Sequence, residues 1–318
     1  MSDAHAARMS LGTRLARAPG VFYIFVLLVL VFGVAEPSFL GAANLGNIGL
    51  QSAILLMLAL PMTLIIMTEG LDLSMGAVLS LCGIVLALVL LKGYGLPMAL
   101  AAALAVGLAF GVANGALVAW LDLPPFVVTL GTMGVAQGLA LIVSDAQSVV
   151  GFGDAVGRLY GTHVLGVPFP VLVAVAAYAL MHFLLYHTRF GAYVFALGGN
   201  REALVLAGAR ANVYLVAVYA LGGTLVGLAA LLLTGRMNAG HPTAAIGMEF
   251  DAIAAVIVGG TSFERGNGWL FGTLLGVLAV GVLKNGLNLL AVQSALQVAA
   301  IGLLVIVALL VDGLRGKS

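Results

Sequence analysis

Ten apolar stretches, most of them close to twenty residues long, follow one another along this 318-residue chain with few charges inside them. A helix needs about 20 apolar residues to cross the hydrocarbon of a bilayer. By that measure helices are expected at 20–35, 47–68, 74–91, 97–120, 126–144, 168–186, 213–235, 248–263, 268–290 and 294–312. The first and eighth are short, and the eighth opens on Glu249 and Asp251. The breaks at Glu36-Pro37-Ser38, Gly93-Tyr94-Gly95 and Leu123-Pro124-Pro125 each join helix breakers to polar residues. Composition decides between lipid and water. The chain is 63% hydrophobic and 8% charged, against roughly 45–50% and about 25% in soluble domains. Surface-to-volume scaling leaves too little polar side chain to cover such a core in water. The expected fold is therefore an all-α polytopic membrane protein of about ten transmembrane helices. It divides into an N-terminal arm at 1–19 and a transmembrane domain at 20–318.

Lysine and arginine set the orientation, because cytoplasmic loops carry them in excess. With the N-terminus inside, Arg8, Arg14, Arg17, Arg189, Arg201, Arg210, Arg265, Arg315 and Lys317 are cytoplasmic. Lys92, Arg158 and Arg236 fall outside, and Lys284 falls within a span. The basic arm runs straight into an apolar span, without the small-residue cleavage site of a cleavable signal peptide. An even helix count then places both termini in the cytoplasm. A net charge of +1 argues against nucleic acid as a partner. The lone cysteine, Cys82, excludes an intrachain disulfide.

Two loops are long. One, 144–167, is expected outside. The other, 187–212, is expected inside and holds three arginines. Within it 200–208 reads as a short capped helix: Asn200 is a good N-cap, Glu202 suits the first turn and Gly208 ends it. A helix of two turns needs something to pack on. Adjacent Leu204, Val205 and Leu206 wrap more of it than one stripe would. A shift of 171 residues superposes Val106/Val277, Asn114/Asn285, Gly115/Gly286, Val127/Val298 and Gly131/Gly302. It pairs helix four with helix nine, which run in opposite directions, so the expected organisation is an inverted repeat of five plus five helices.

Enzyme chemistry finds no constellation. A phosphate-cradling loop reads G-x-x-x-x-G-K-[ST]; the near match at Gly316-Lys317-Ser318 has Val311 for its first glycine and nothing after it to form a helix. The glycines of 151–157 miss the dinucleotide spacing by one residue and follow no expected strand. His182 and His187 lie five apart, off the i, i+4 metal face. No catalytic, cofactor-binding or metal-ligating residue is assigned.

Three segments resemble a known family. Gly70-Leu71-Asp72-Leu73-Ser74-Met75-Gly76 is similar to its G-I-D-L-S-x-G signature. Asn114-Gly115, followed by Pro124-Pro125-Phe126-Val127-Val128-Thr129-Leu130-Gly131-Thr132, resembles its N-G…P-x-F-I-x-T-L-G-T run. Asp251-Ala252-Ile253-Ala254-Ala255, ending in Gly259-Gly260-Thr261-Ser262, resembles its D-x-I-A-A…G-G-T-S run. Ala196-Leu197-Gly198-Gly199-Asn200 and Asn285-Gly286-Leu287-Asn288 add to the likeness. From about residue 45 onward the chain resembles the permease subunit of bacterial ABC importers for monosaccharides, the ribose/xylose/arabinose branch. The resemblance implies a multi-pass permease domain in the bacterial cytoplasmic (inner) membrane, surrounded by lipid and paired with a second permease copy or paralogue. A separate cytoplasmic ATP-binding subunit would hydrolyse ATP, so this chain binds no cofactor, and a periplasmic sugar-binding protein would deliver a monosaccharide or related polyol. The turn at 263–268, Phe-Glu-Arg-Gly-Asn-Gly, departs from the family's neutral glycine-rich pattern.

Each singled-out residue has two readings. Asp72 either caps helix three, as Ser74 also could, or lies on the solute path. Asn114, Asn285 and Asn288 either glue helices or line the path, with Gln51 and Thr129 as further path candidates. Asn200, Glu202, Ala203, Leu204, Ala207 and Gly208 either rest on the bundle or dock the ATPase. Gly107, Gly111, Gly115, Gly272 and Gly276 form small-xxx-small steps that let helices approach. Glu249 and Asp251 suit an outer helix start or a re-entrant segment, and Lys284 needs an acidic partner. A self-sufficient ion-coupled sugar carrier remains the rival, kept alive by Asp72, Glu249 and Asp251.

Overall fold

The computed structural model describes residues 20–262 and 266–315. The arm at 1–19, the Phe263-Glu264-Arg265 part of the unusual turn and the last three residues lie outside the described residues. Helix α1 (Gly20–Ala35) leads through a 3-10 turn (Pro37–Leu40) to α2 (Ala42–Met67), α3 (Met75–Leu91), α4 (Leu96–Trp120) and α5 (Pro125–Val143). A short α6 (Ala155–Gly161) and an antiparallel hairpin, β1 (His163–Val164) with β2 (Val167–Pro168), come next. Then follow α7 (Phe169–His187), α8 (Arg189–Leu206), α9 (Ala211–Met237), α10 (Met248–Val258), α11 (Leu270–Leu289) and α12 (Ser294–Arg315).

Every one of the ten expected segments coincides with a helix. Six helices, α2, α4, α5, α7, α9 and α11, are long and apolar enough to cross a membrane, and α1, α3 and the first part of α12 are shorter apolar helices. Helix α10 differs from expectation. Instead of 248–263 it has 11 residues, about 16 Å at 1.5 Å per residue, roughly half the hydrocarbon thickness. It stops before Gly260, whose φ of +86° is a conformation that side chains with a Cβ rarely adopt.

Burial follows from which helices are apolar all round. From Ser52 to Met67 every residue of α2 is buried, so α2 is central. Helices α4 and α9 meet along a glycine seam: a Cβ on Gly107 would lie 2.1 Å from the Gly223 carbonyl oxygen, and one on Gly111 2.3 Å from that of Tyr219. Gly272 and Gly276 press likewise on Gly259 and Ala255. These are the close approaches that small residues permit. The most apolar stretches of α4 and α5 are as apolar as that of α2 yet only 22% buried, against 89%. Their outward faces carry Leu108, Val112, Leu130, Val135 and Ile142. Lipid is the solvent such faces require.

The loop at 187–212 is more helical than expected. Residues 189–199, read from sequence as loop, form the first half of α8, whose backbone breaks at Asn200 (φ −164°, ψ 95°). Beyond the break lies the expected short helix. Asn200 Oδ1 accepts from the Ala203 amide at 2.8 Å, and the amides of Gly208 and Ala209 bond the Val205 and Leu204 carbonyls at 2.9 and 3.2 Å, with Gly208 at φ +80°. Both cap signals act as the residue types predict. The loop at 144–167 also gains α6 and the hairpin, and Val149 bridges Gly240 in the loop after α9.

Candidate functional site

Two helices start inside the bundle rather than at its edge. After α2 ends, residues 68–74 run without helix to the first turn of α3, and Gly70 packs under α9, where a Cβ would meet Tyr219 Oη at 2.6 Å. After α9, residues 239–247 run back alongside α3: Gly240 lies against Ala87 and Gly83, and the Ala245 amide donates to Ser80 Oγ at 3.1 Å. Where α3 begins, a Cβ on Gly76 would come within 2.0 Å of the Glu249 carboxylate. The strip at 239–247 thus runs antiparallel to α3, so α3 and α10 start from one junction. Helix N-termini carry partial positive charge and favour acids. The acids are there: Asp72 precedes α3, while Glu249 and Asp251 occupy the first turn of α10. Glu249 and Asp251 are both buried there.

Of the path candidates, Asp72, Asn114 and Thr129 come together. Asp72 Oδ1 accepts from the Ser74 amide at 2.9 Å and from Ser74 Oγ at 2.6 Å. Asn114 Nδ2 donates to Ser74 Oγ at 2.9 Å, and Thr129 Oγ1 donates to the Leu71 carbonyl at 3.1 Å. The turn before α3 is thus tied to α4 by a buried bond and to α5 by a part-buried one. A cavity of about 10 Å³ lies among Asp72, Ser74, Phe110, Asn114 and Gly223, room for about one water. Among the described residues, Asn114 Oδ1 and Tyr219 Oη are buried without a hydrogen-bond partner. Asn285 lies elsewhere, exchanging two bonds of 2.8 and 2.9 Å with Asn44 and so joining α11 to α2. Asn288 is exposed and accepts from Gln297 Nε2 at 2.8 Å, joining α11 to α12. Gln51 is half-buried on α2, apart from this network.

Lys284 finds its partner in Asp251, an ion pair between α11 and α10. Sequence reasoning missed Tyr219 at the junction and Asn44 on α2, and took Ser74 only as a possible cap of helix three. Ser74 stood within a quoted motif, whereas Tyr219 lay in an unremarkable apolar run and Asn44 before the expected start of α2. Among the described residues no group of three His, Cys, Asp or Glu side chains could hold a metal ion.

On α8 the short helix rests on one face and leaves the other open. Leu204 is buried with Leu197 and Ala211, while Glu202, Ala203, Val205, Leu206 and Ala207 are exposed, Leu206 to 88%. Arg201 pins the break from outside, bonding Asp122 at 3.3 Å and Asn212 Oδ1 at 3.1 Å. The first half sits so close to α2 that a Cβ on Gly198 would lie 1.8 Å from the Met67 carbonyl oxygen.

The family model for the permease component of branched-chain amino acid transport systems matches residues 44–309. The chain belongs to that permease family. Among curated relatives, the ribose import permease protein of Bacillus subtilis (strain 168) is 40% identical over 301 residues, covering 94% of this chain and 93% of the relative. The D-allose transport system permease protein of Escherichia coli (strain K12) is 37% identical, covering 94% and 92%. The L-arabinose ABC transporter permease protein of Azospirillum brasilense is 30% identical, covering 95% and 89%. No solved structure matches the chain. The resemblance carried by the sequence motifs is borne out, and the protein is a membrane permease component, a part of a transport system rather than an enzyme.

Proposed function

We propose that this permease is the membrane-spanning subunit of an ATP-binding-cassette importer that moves a monosaccharide or related polyol into the cytoplasm. The observation that carries the reading is the near full-length likeness to permeases named for ribose, allose and arabinose. A separate ATP-binding subunit supplies the energy, a sugar-binding protein delivers the solute, and a second permease copy or paralogue completes the assembly in the inner membrane. Both termini and α8 face the cytoplasm, as the nine-to-three bias of Lys and Arg indicates.

Ten membrane helices, with α10 as a half-helix, fit an inverted repeat. The starts of α2, α3, α4 and α5 recur in α9, α10, α11 and α12 after 169, 173, 174 and 169 residues, close to the 171-residue shift that aligns the sequence. Paired broken helices with their N-termini at one junction are what such repeats place near the solute site. Asp72, Asn114 and Thr129 hold this junction in shape, since the bonds they make go to one turn of backbone and to Ser74. Asn285 and Asn288 glue α11 to its neighbours. Gln51, half-buried, remains a path candidate. The open face of α8, with Ala203, Leu206 and Ala207, is the docking surface for the ATP-binding subunit, a helix-in-groove contact. An ion-coupled carrier finds less support, because Asp72 is engaged as a cap and Asp251 is paired with Lys284.

Purification from the native membrane in mild detergent tests this reading. An ATP-binding subunit is expected to travel with the permease. A chain that purifies alone and still moves sugar down a proton or sodium gradient would overturn it.

A further inference from the structure

We propose that the Lys284–Asp251 pair, with Phe250 beside it, is a contact point for a neutral polyhydroxylated ring on the solute path. The proposal rests on the importer reading above and names where the sugar touches this chain. Helices α10 and α11 run antiparallel, with Gly276 on the Ala255 carbonyl and Gly272 on that of Gly259. That register sets Asp251 opposite Val280, halfway along the 20 residues of α11. Lys284 stands one turn further along, nearer the helix end. A lysine facing lipid would snorkel toward that end. Its ammonium instead reaches back to the mid-depth carboxylate.

The pair is not sealed inside the bundle. The Lys284 side chain is 33% exposed and that of Asp251 12%. Phe250, next to Asp251, is 57% exposed, and Asn288, one turn beyond Lys284, is exposed as well. Hydrocarbon offers nothing to a half-open ion pair and an amide, so charged groups in membrane helices face a bundle interior or a water-filled cavity. The chemistry of this face is specific. Paired charges of opposite sign present both donors and acceptors with no net charge, which suits hydroxyl groups and gives no advantage to an ion. An aromatic ring offers an apolar plane for the C–H face of a sugar ring.

Cysteine labelling reads the face directly. Cys82 is the single cysteine and is buried, so Cys82→Ala provides a cysteine-free background. In it, Phe250→Cys should react with a permanently charged, water-soluble methanethiosulfonate. The reaction should slow in the presence of whichever of D-ribose, D-allose and L-arabinose the transporter carries. The double variant Lys284→Gln/Asp251→Asn leaves no orphan charge. It should assemble with the ATP-binding subunit and hydrolyse ATP, yet import that sugar about tenfold more slowly, as expected when hydrogen bonds from charged groups to the solute are replaced by weaker neutral ones. Failure of Phe250→Cys to react, or import at the wild-type rate in the double variant, overturns the proposal. If the double variant does not assemble, Phe250→Ala decides, since it alters no charge: wild-type import overturns the proposal and slowed import supports it. A wild-type chain that recruits no ATP-binding subunit would instead refute the importer reading, while the labelling still reports whether water reaches this face.

Discussion

Asp72 keeps a carboxylate at the foot of α3 with 4% of its surface exposed, where an acid in a membrane helix costs about 2.5–3.5 kcal/mol on insertion scales. One oxygen takes both bonds from Ser74, and Ser74 in turn accepts from Asn114 on α4. Removing the carboxylate unties the turn from its neighbours. Asp72→Leu should therefore abolish uptake while the protein still reaches the membrane, as measured by sugar import alongside membrane immunoblotting. Wild-type import in that variant would show the residue to be incidental. Asp72 was legible in the sequence because a lone acid amid apolar residues needs a reason. The Asn44–Asn285 exchange was not, since its partners stand 241 positions apart and only packing brings them together. Lys284 announced its need for an acid. The choice of Asp251 over Glu249 depended on the register of α10 against α11, which no local pattern carries.

At the scale of elements, lipid makes helices easy to read. Backbone groups in hydrocarbon must bond internally, so apolar runs between Gly and Pro breaks gave most helix bounds to within three residues. Helix α10 was read too long because its sequence stays apolar up to Gly259-Gly260. It begins only after the strip at 239–247 has run back alongside α3, and it ends at the turn where Gly260 takes a positive φ. The first half of α8 and all of α6 lie in polar loops, where apolar periodicity gives weak signals. The second half of α8 was legible through its caps, and its open face is the docking surface proposed for the ATP-binding subunit. Replacing Ala203 or Ala207 with arginine puts a bulky charge on the open face without touching buried Leu204. Each change should weaken co-purification of the ATP-binding subunit and uncouple its hydrolysis from import, leaving membrane insertion unchanged. If both variants assemble and import as wild type, the docking surface lies elsewhere.

For the whole molecule, a central α2 and two helices that start from one junction inside the bundle give the permease a polar seam. The proposal is that a partner subunit supplies the energy. Purified permease should be reconstituted into proteoliposomes with its ATP-binding subunit inside and its sugar-binding protein outside, and uptake of labelled D-ribose, D-allose and L-arabinose measured. Import of at least one of these sugars is expected, and it should stop when ATP, the ATP-binding subunit or the binding protein is left out. Import by the permease alone, driven by a proton or sodium gradient and indifferent to ATP, would contradict it.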